Sequence, residues 1–324
     1  MDLILKPTEA CNFKCTFCSS TSIAQEDIKL LDIEEVYKFL DEWPETRTII
    51  VNGGDPLMVK PQYYWDIIKY LDDHDMPTRI SFTTNLWPFY VNPDKWVELF
   101  NHPRLGVCTS FQYGDGRLHG DYTIYTEADF WKVSDKMLDL IGYRPDFITV
   151  VVDGEQDMAI ANVELAKKMN VECKLNYAMA SGIQDKPLLL ADIYKIYIEL
   201  YKQGLGEWEY NTKDIIKSMR DEATSCPRNR SCETGIRCIQ PAGDQYTCGS
   251  FADDMEYPIT GPSLREDPEL LSMHEWCFTC PMFNLCNGCA KTIKDHKRFD
   301  MHGQHCFEMK QLEQDLMIMR DTYV

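Results

Sequence analysis

The sequence predicts an α/β protein with a parallel sheet, followed by a compact cysteine-rich segment. Three observations carry this. Between residues 1 and 204, six short β-branched or apolar runs alternate with stretches of helical period. The alternation stops at Gly204-Leu205-Gly206, and from Cys226 onward cysteines dominate. Repeated strand–helix units imply parallel strands joined by right-handed crossovers, with ligands bound beyond the C-terminal ends of the strands.

The strand candidates are Leu3–Leu5, Thr48–Val51, Arg79–Thr83, Leu105–Ser110, Phe147–Val152 and Cys173–Ala178. Each is a short β-branched or aromatic run followed by a helical pattern. Asp32, with Glu35 three residues on, starts the first helix, whose apolar face is Ile33, Val36, Tyr37 and Leu40. Pro61 opens the second at its first turn, with Tyr64, Ile67, Ile68 and Leu71 on one stripe. Asn92 and Pro93 start the third, the fourth runs from Glu127 to Ile141 and stops at Gly142, and the fifth covers Asp157 to Lys168. The sixth, Leu189 to Lys202, buries Ile193, Ile196, Tyr197 and Leu200 and ends at Gly204. Periodicity alone leaves an open doubly wound sheet and a curved partial barrel as alternatives.

At 324 residues the chain can bury a full core, in one large domain or two smaller ones. A formal charge of −19 argues against a nucleic-acid partner, which needs clustered Lys and Arg. The acidity reads as a solvated surface, with a basic peptide substrate as the second reading. No apolar run approaches the roughly 18 residues that span a bilayer, and no secretory signal is visible, so no membrane is involved and a cytoplasmic location is expected. Fourteen cysteines in such a chain point to metal ligation rather than to a disulfide scaffold.

The most informative run is Cys11-Asn12-Phe13-Lys14-Cys15-Thr16-Phe17-Cys18, just past the first strand. Three thiolates in one loop are one short of a closed tetrahedral zinc site. They suit a 4Fe–4S cluster with one iron left open. The spacing C-x3-C-x2-C, with an aromatic before the last cysteine, resembles the signature of the radical S-adenosylmethionine (radical SAM) enzymes. That resemblance implies a six-stranded partial (β/α) barrel of TIM type. It also implies S-adenosylmethionine on the open iron of a cluster held by Cys11, Cys15 and Cys18, cleaved to a 5′-deoxyadenosyl radical. Asn52-Gly53-Gly54-Asp55-Pro56 reads on its own as a tight βα turn. Beside the cysteine loop it resembles the family's Gly-Gly-Glu-Pro motif, in which backbone carbonyls and the acid hold the methionine amino group; here the acid is the shorter Asp55. Phe17 matches the position whose backbone contacts adenine, and Ser110 that of a serine near the ribose and methionine moiety. In that segment Gln112 replaces the usual acid and Tyr113 is inserted. Thr83-Thr84-Asn85 resembles a Thr-Asn-Gly turn without its glycine, with a polar strand end as the alternative. Arg117 is read as a surface arginine, with pairing to the cofactor carboxylate as the other possibility.

The array Cys277-x2-Cys280-x5-Cys286-x2-Cys289, then Cys306, follows Cys226-x5-Cys232 and Gly243-x4-Cys248. Spacing alone leaves a zinc ribbon open. The whole pattern resembles the SPASM domain, the auxiliary iron–sulfur module of peptide-modifying enzymes, among them the anaerobic sulfatase-maturating enzymes. On that resemblance Cys226, Cys232, Cys248 and Cys289 hold auxiliary cluster I, and Cys277, Cys280, Cys286 and Cys306 hold auxiliary cluster II. The last gap of the array is one residue short of the family's, and Cys238 is an extra cysteine that could replace Cys226 or Cys232. Cys108 and Cys173 read as core cysteines in strands, and Cys238 as a possible hydrogen-atom donor. His302 and His305 read as surface residues. The acid that follows the cysteine matching Cys248 in the sulfatase-maturating enzymes is here Gly249, with Asp253 and Asp254 further on.

The expected organisation is a radical SAM barrel over 1–204, a bridge over 205–225, a SPASM-like domain over 226–310 and a helical tail over 311–324. The expected activity is oxidative modification of a peptide or protein side chain, as a thioether, a carbon–carbon crosslink or a dehydrogenation. A flavodoxin- or ferredoxin-like protein would supply electrons. The alternative is an epimerase or dehydrogenase acting on a small molecule such as a sugar, kept open by the spare cysteines and by the lack of an N-terminal extension for leader binding. A third reading, from another class, is a non-enzymatic electron carrier.

Overall fold

The computed structural model describes residues 1–22, 29–180, 187–220, 222, 235–263, 266–286 and 289–323. The six expected strands all form: β1 (Asp2–Leu5), β2 (Thr48–Val51), β3 (Arg79–Thr83), β4 (Leu105–Ser110), β5 (Phe147–Val151) and β6 (Cys173–Tyr177). Two more, β7 (Ile236–Ile239) and β8 (Gln245–Tyr246), extend the sheet beyond β1. The strand order is β6-β5-β4-β3-β2-β1-β7-β8. The first six strands lie in sequence order with no reversal. That order selects the partial barrel over the doubly wound sheet, which requires a switch point.

Strand alternation sorts the side chains. Leu3 and Leu5 of β1 join Ile49, Val51, Ile80 and Phe82 in one fully buried core. That core packs against α1 (Ile33–Glu42) through Val36, Phe39 and Leu40, and against α2 (Pro61–Asp73) through Tyr64, Ile67, Ile68 and Leu71. Each such side chain contributes roughly 1.5–3 kcal/mol by leaving water. Asp32 caps α1 by accepting from the Glu34 amide at 3.1 Å. The third helix differs from expectation: α3 (Trp87–Val91) starts earlier, with Pro88 in its first turn, and Pro93 breaks the segment before α4 (Val97–Phe100). A proline lacks the amide that a continuing helix needs. Helix α5 (Glu127–Ile141) carries a reciprocal Thr126–Asp129 capping box and ends at Gly142 with φ +97°.

The described residues form two compact units, one of residues 1–148 with 235–260, the other of 149–180 with 187–222 and 261–323. In the first, β7 pairs parallel to β1, with Ile4 opposite Cys238, and turns at Gly243 (φ +90°) into antiparallel β8. The sequence pattern did not announce this hairpin. Its strands are short and lie in a region whose cysteines dominate the composition. Helix α9, numbering α6 (Asp157–Met169), α7 (Leu190–Lys202) and α8 (Tyr210–Met219) before it, covers Gly249–Asp254 and starts at Cys248.

In the second unit β6 has its edge covered by side chains. The buried Glu209 carboxylate accepts from the Leu175 amide at 2.9 Å and from the Asn211 and Thr212 amides at the start of α8. The Asn211 carboxamide donates to the Leu175 carbonyl. Burial raises the Glu209 pKa, while these hydrogen bonds favour the carboxylate. The remaining helices are α10 (Pro268–Phe278), α11 (Phe283–Cys286), α12 (Ala290–Arg298), α13 (His302–Gln311) and α14 (Glu313–Thr322). No helix among the described residues is long and apolar enough to cross a membrane.

Candidate active site

The loop after β1 runs alongside the loop after β2 before it reaches the cysteines. Gly54 donates its amide to the Thr8 carbonyl at 2.9 Å and Asp55 to the Ala10 carbonyl at 2.8 Å. The glycines make this approach possible. A Cβ on Gly53, whose φ is +112°, would lie 2.5 Å from the Thr8 oxygen, and one on Gly54 would lie 2.2 Å from the Ala10 oxygen. On its other side the cysteine loop is braced by residues after β4. Lys14 donates to the Leu118 carbonyl at 2.8 Å and Thr16 to that of Gly116 at 2.9 Å. A Cβ on Gly116 would meet Thr16 Oγ1 at 2.9 Å. Phe13 is buried against His119 and Tyr125, with ring centroids 4.9 and 5.1 Å away.

Cys11, Cys15 and Cys18 are thereby gathered, each half-buried and free of disulfide bonding. Burial pushes the Cys18 thiol up to about 11 and Cys11 higher still, and the neighbouring cysteines add to both shifts. Three neighbouring sulfurs whose loop is held by backbone hydrogen bonds suit a cationic iron–sulfur group that would draw them out as thiolates.

The structure draws Arg117 into this site and overturns its reading as a surface residue. It is only 5% exposed, because residues 116–119 pair with the cysteine loop. Its Nη1 donates to Ser110 Oγ at 3.0 Å and its Nη2 reaches Gln112 Oε1 at 3.4 Å. Its guanidinium carbon sits 5.2 Å from the Phe17 ring centroid. Its buried Nε has no hydrogen-bond partner. Among the described residues no carboxylate pairs with it, so a buried cation stands ready for an anionic group.

Asp55 is turned differently from expectation. Its carboxylate is fully buried and accepts from the Leu57 amide (2.9 Å), Thr84 Oγ1 (2.9 Å) and the Asn85 amide (2.8 Å). Burial raises its pKa to about 6, opposed by those hydrogen bonds. Both oxygens tie the loop after β2 to the turn after β3. Pro56 accepts the Tyr64 hydroxyl on its carbonyl at 2.7 Å, which fixes the same turn to α2. Thr84 and Asn85 thus belong to the site. The signal was present in the polar Thr-Asn pair that follows β3.

A second buried polar group lies next to the cysteine loop. Lys6 forms an ion pair with Asp253 of α9 and lies 3.8 Å from Glu9. Ser19, just past Cys18, donates to Asp253 at 2.7 Å. Burial opposes the Lys6 ammonium, yet Asp253, Cys238 and Glu9 around it hold its pKa above the ordinary value. Cys238 has no exposed surface and packs with Tyr246, Ala252 and Ile4. A hydrogen-atom donor must touch its substrate, and this thiol is covered by α9. Cys173 is buried, as expected of a core cysteine. Cys108 departs from that reading: it is half-buried on the same face of β4 as Ser110, because the alternation puts Val107 and Thr109 in the core instead.

In the second unit Cys277, Cys280, Cys286 and Cys306 come together. Burial, then the fields of Cys286, Cys306 and Cys280, push the Cys277 thiol up to about 11. Cys289 precedes α12, and Cys306 Sγ lies 3.7 Å from His302 Nε2. His305 is not a surface residue. It is buried with its ring 4.8 Å from that of buried His296, because α13 turns that face toward α12. Cys226 and Cys232 lie outside the described residues.

Residues 5–192 match the model of the radical SAM superfamily, more than half of the chain, and the chain belongs to that superfamily. It is therefore a radical SAM enzyme, and the cofactors its family implies are S-adenosylmethionine and a 4Fe–4S cluster. Among solved structures it is similar to anSMEcpe, an anaerobic sulfatase-maturating enzyme, with bound AdoMet and the Kp18Cys peptide: TM-score 0.73, 17% identity, 99% of each chain covered. The same enzyme with AdoMet alone gives 0.71 at 16% identity, again over 99% of each chain. Streptococcus suis SuiB bound to its precursor peptide SuiA gives 0.57 at 15% identity, covering 88% of this chain and 70% of that one. These likenesses establish the fold as the partial barrel of radical SAM enzymes with a cysteine-rich C-terminal part.

Proposed function

We propose that the enzyme oxidatively modifies a side chain of a peptide or protein, forming a thioether, a carbon–carbon crosslink or a dehydrogenated residue. The observation that supports this reading is the second group of thiols, Cys277, Cys280, Cys286 and Cys306, in a chain whose first group, Cys11, Cys15 and Cys18, would serve the radical chemistry. Neighbours of the same fold crystallised with peptides support the substrate class.

Cys11, Cys15 and Cys18 would hold the barrel cluster, and the Gly53-Gly54 backbone would present carbonyls to the methionine amino group. Arg117, aimed by Ser110, would take the methionine carboxylate; the Phe17 backbone would flank adenine. The chemistry that the cluster and S-adenosylmethionine would supply beside these residues is radical abstraction of one hydrogen atom from a substrate carbon. The substrate then gives up a second electron and a proton, so the product lacks two hydrogens. Cys277, Cys280, Cys286 and Cys306 would hold an auxiliary 4Fe–4S cluster, and the chemistry such a group would supply here is one-electron acceptance. On the SPASM resemblance a second 4Fe–4S cluster would be held by Cys226, Cys232, Cys248 and Cys289, and a flavodoxin- or ferredoxin-like partner would supply the electron that starts the reaction. The complete burial of Cys238 weighs against the redox-neutral alternative.

Iron and sulfide counted in anaerobically reconstituted protein test this. About twelve irons per chain, falling to about eight in a Cys11/Cys15/Cys18→Ala variant, are expected for three clusters. About four falling to none, with zinc in the remainder, would remove the oxidative role of the C-terminal thiols.

A further inference from the structure

The turn after β3 carries a side chain that the proposed chemistry leaves unused. Asn85 is 5% exposed, and its amide and both ends of its carboxamide have partners. Its amide donates to Asp55 Oδ2 at 2.8 Å. Its Oδ1 accepts from the Trp87 amide at 2.9 Å, and its Nδ2 donates to Asn12 Oδ1 at 2.8 Å. A backbone amide can only donate, so Trp87 fixes which end of the carboxamide is oxygen. The NH2 end therefore faces Asn12 and Cys11, and Nδ2 lies 4.0 Å from Cys11 Sγ.

The backbone pays attention to the same point. Leu86, next in the chain and fully buried, sits at φ +58°, a left-handed conformation that leucine seldom adopts. Thr84 Oγ1 holds it there by accepting the Leu86 amide at 3.0 Å, while the Thr84 hydroxyl itself donates to Asp55. The buried Asp55 carboxylate is thus the hub of a network whose outward product is one N–H aimed at a sulfur.

We propose that Asn85 is a positioning residue that directs its side-chain N–H at the Cys11 sulfur and so raises the reduction potential of the cluster in that loop. The proposal rests on the reading that Cys11, Cys15 and Cys18 hold that cluster. Reduction adds negative charge that spreads onto the cysteine sulfurs, and N–H donors stabilise the reduced state more than the oxidised one. The Phe13 amide, 3.3 Å from the same sulfur, acts in the same sense. The Asn85 contact is longer, so its effect is the smaller share.

The test is a potentiometric titration of the anaerobic holoprotein, followed on the EPR signal that the Cys11/Cys15/Cys18→Ala variant lacks. In Asn85→Ala the ratio of reduced to oxidised cluster at a fixed potential should fall three- to tenfold; tenfold corresponds to about 59 mV for one electron. Asn85→Asp, which presents an acceptor instead of a donor, should lower it further. Iron content equal to wild type with an unmoved potential would overturn the proposal. As a check that needs no variant to fold, 15N-asparagine-labelled wild type should show a weak nitrogen hyperfine coupling from a side-chain amide on the reduced cluster. Its absence would overturn the proposal equally. Failure of the underlying reading looks different: the Cys11/Cys15/Cys18→Ala variant would hold as much iron as wild type.

Discussion

Replacing Gly54 with alanine probes whether the two βα loops must touch for the cysteines to be placed. The new Cβ would lie 2.2 Å from the Ala10 oxygen and 2.4 Å from that of Glu9, and both of these are backbone atoms. The segment leading into Cys11 would have to retreat by about 1 Å, since overpacking against backbone is relieved only by backbone movement. That shift breaks Gly54→Thr8 and Asp55→Ala10, two hydrogen bonds worth about 0.5–1.5 kcal/mol each. Adding roughly 1–3 kcal/mol for the overpacking gives a local cost of about 2–6 kcal/mol. This falls on the cysteine loop itself. The expected result is loss of most iron from the barrel cluster after anaerobic reconstitution, with faster hydrogen exchange over residues 6–18. Gly142→Ala is the control: its φ of +97° makes alanine costly by about 1 kcal/mol, yet nothing lies within 4 Å of the added atom. It should weaken α5 and leave the iron count alone. A Gly54→Ala protein that binds iron as wild type does would refute the reasoning.

Two further outcomes follow from named groups. Arg117→Ala removes the only guanidinium stacked on Phe17 among the described contacts, and should weaken S-adenosylmethionine binding by about 10- to 100-fold in equilibrium dialysis while iron content stays unchanged. Arg117→Lys should recover only part of this, because an ammonium cannot reproduce the planar fork. His296, buried beside His305 and His302, has its pKa lowered to about 4, chiefly by burial. An unfolded histidine protonates near 6.5, so between those values the unfolded state binds more protons and stability falls as pH falls. The contribution is fully present above about 6.5 and lost by about 4, on the order of 3 kcal/mol. His296→Gln should lose less stability between pH 7 and pH 5 than wild type in denaturant unfolding; identical losses would contradict the assignment.

What could be read from the residues follows what is local. The six strands and most helices were legible because β-branched runs, caps and prolines act over a few residues, and the cysteine spacing reported a loop. The β7–β8 hairpin was not, since Ile236–Ile239 gains its meaning only by pairing with β1, far away in sequence. Arg117 was misplaced for the same reason: nothing in its neighbours says that residues 116–119 will lie along the cysteine loop. Its flanking Gly116 and Gly120 did hold the clue, for a Cβ on either would strike that loop. Asp55 stands out in the Gly-Gly-Asp-Pro turn, but its partners Thr84 and Asn85 belong to another strand end. Which atoms a buried carboxylate chooses is a question of three-dimensional supply, and sequence carries it poorly.

The covering of β6 by Glu209 and Asn211 has a consequence for how a substrate chain can approach. An exposed parallel strand offers alternating donors and acceptors on which an extended peptide can add itself as one more strand. At Leu175 both backbone groups on that edge are already taken, the amide by a carboxylate and the carbonyl by a carboxamide. A visiting peptide therefore finds no template there. Recognition by strand addition is blocked at this edge by two side chains acting as a false neighbour, and the same blockade guards the protein against sticking edge-to-edge to its own copies.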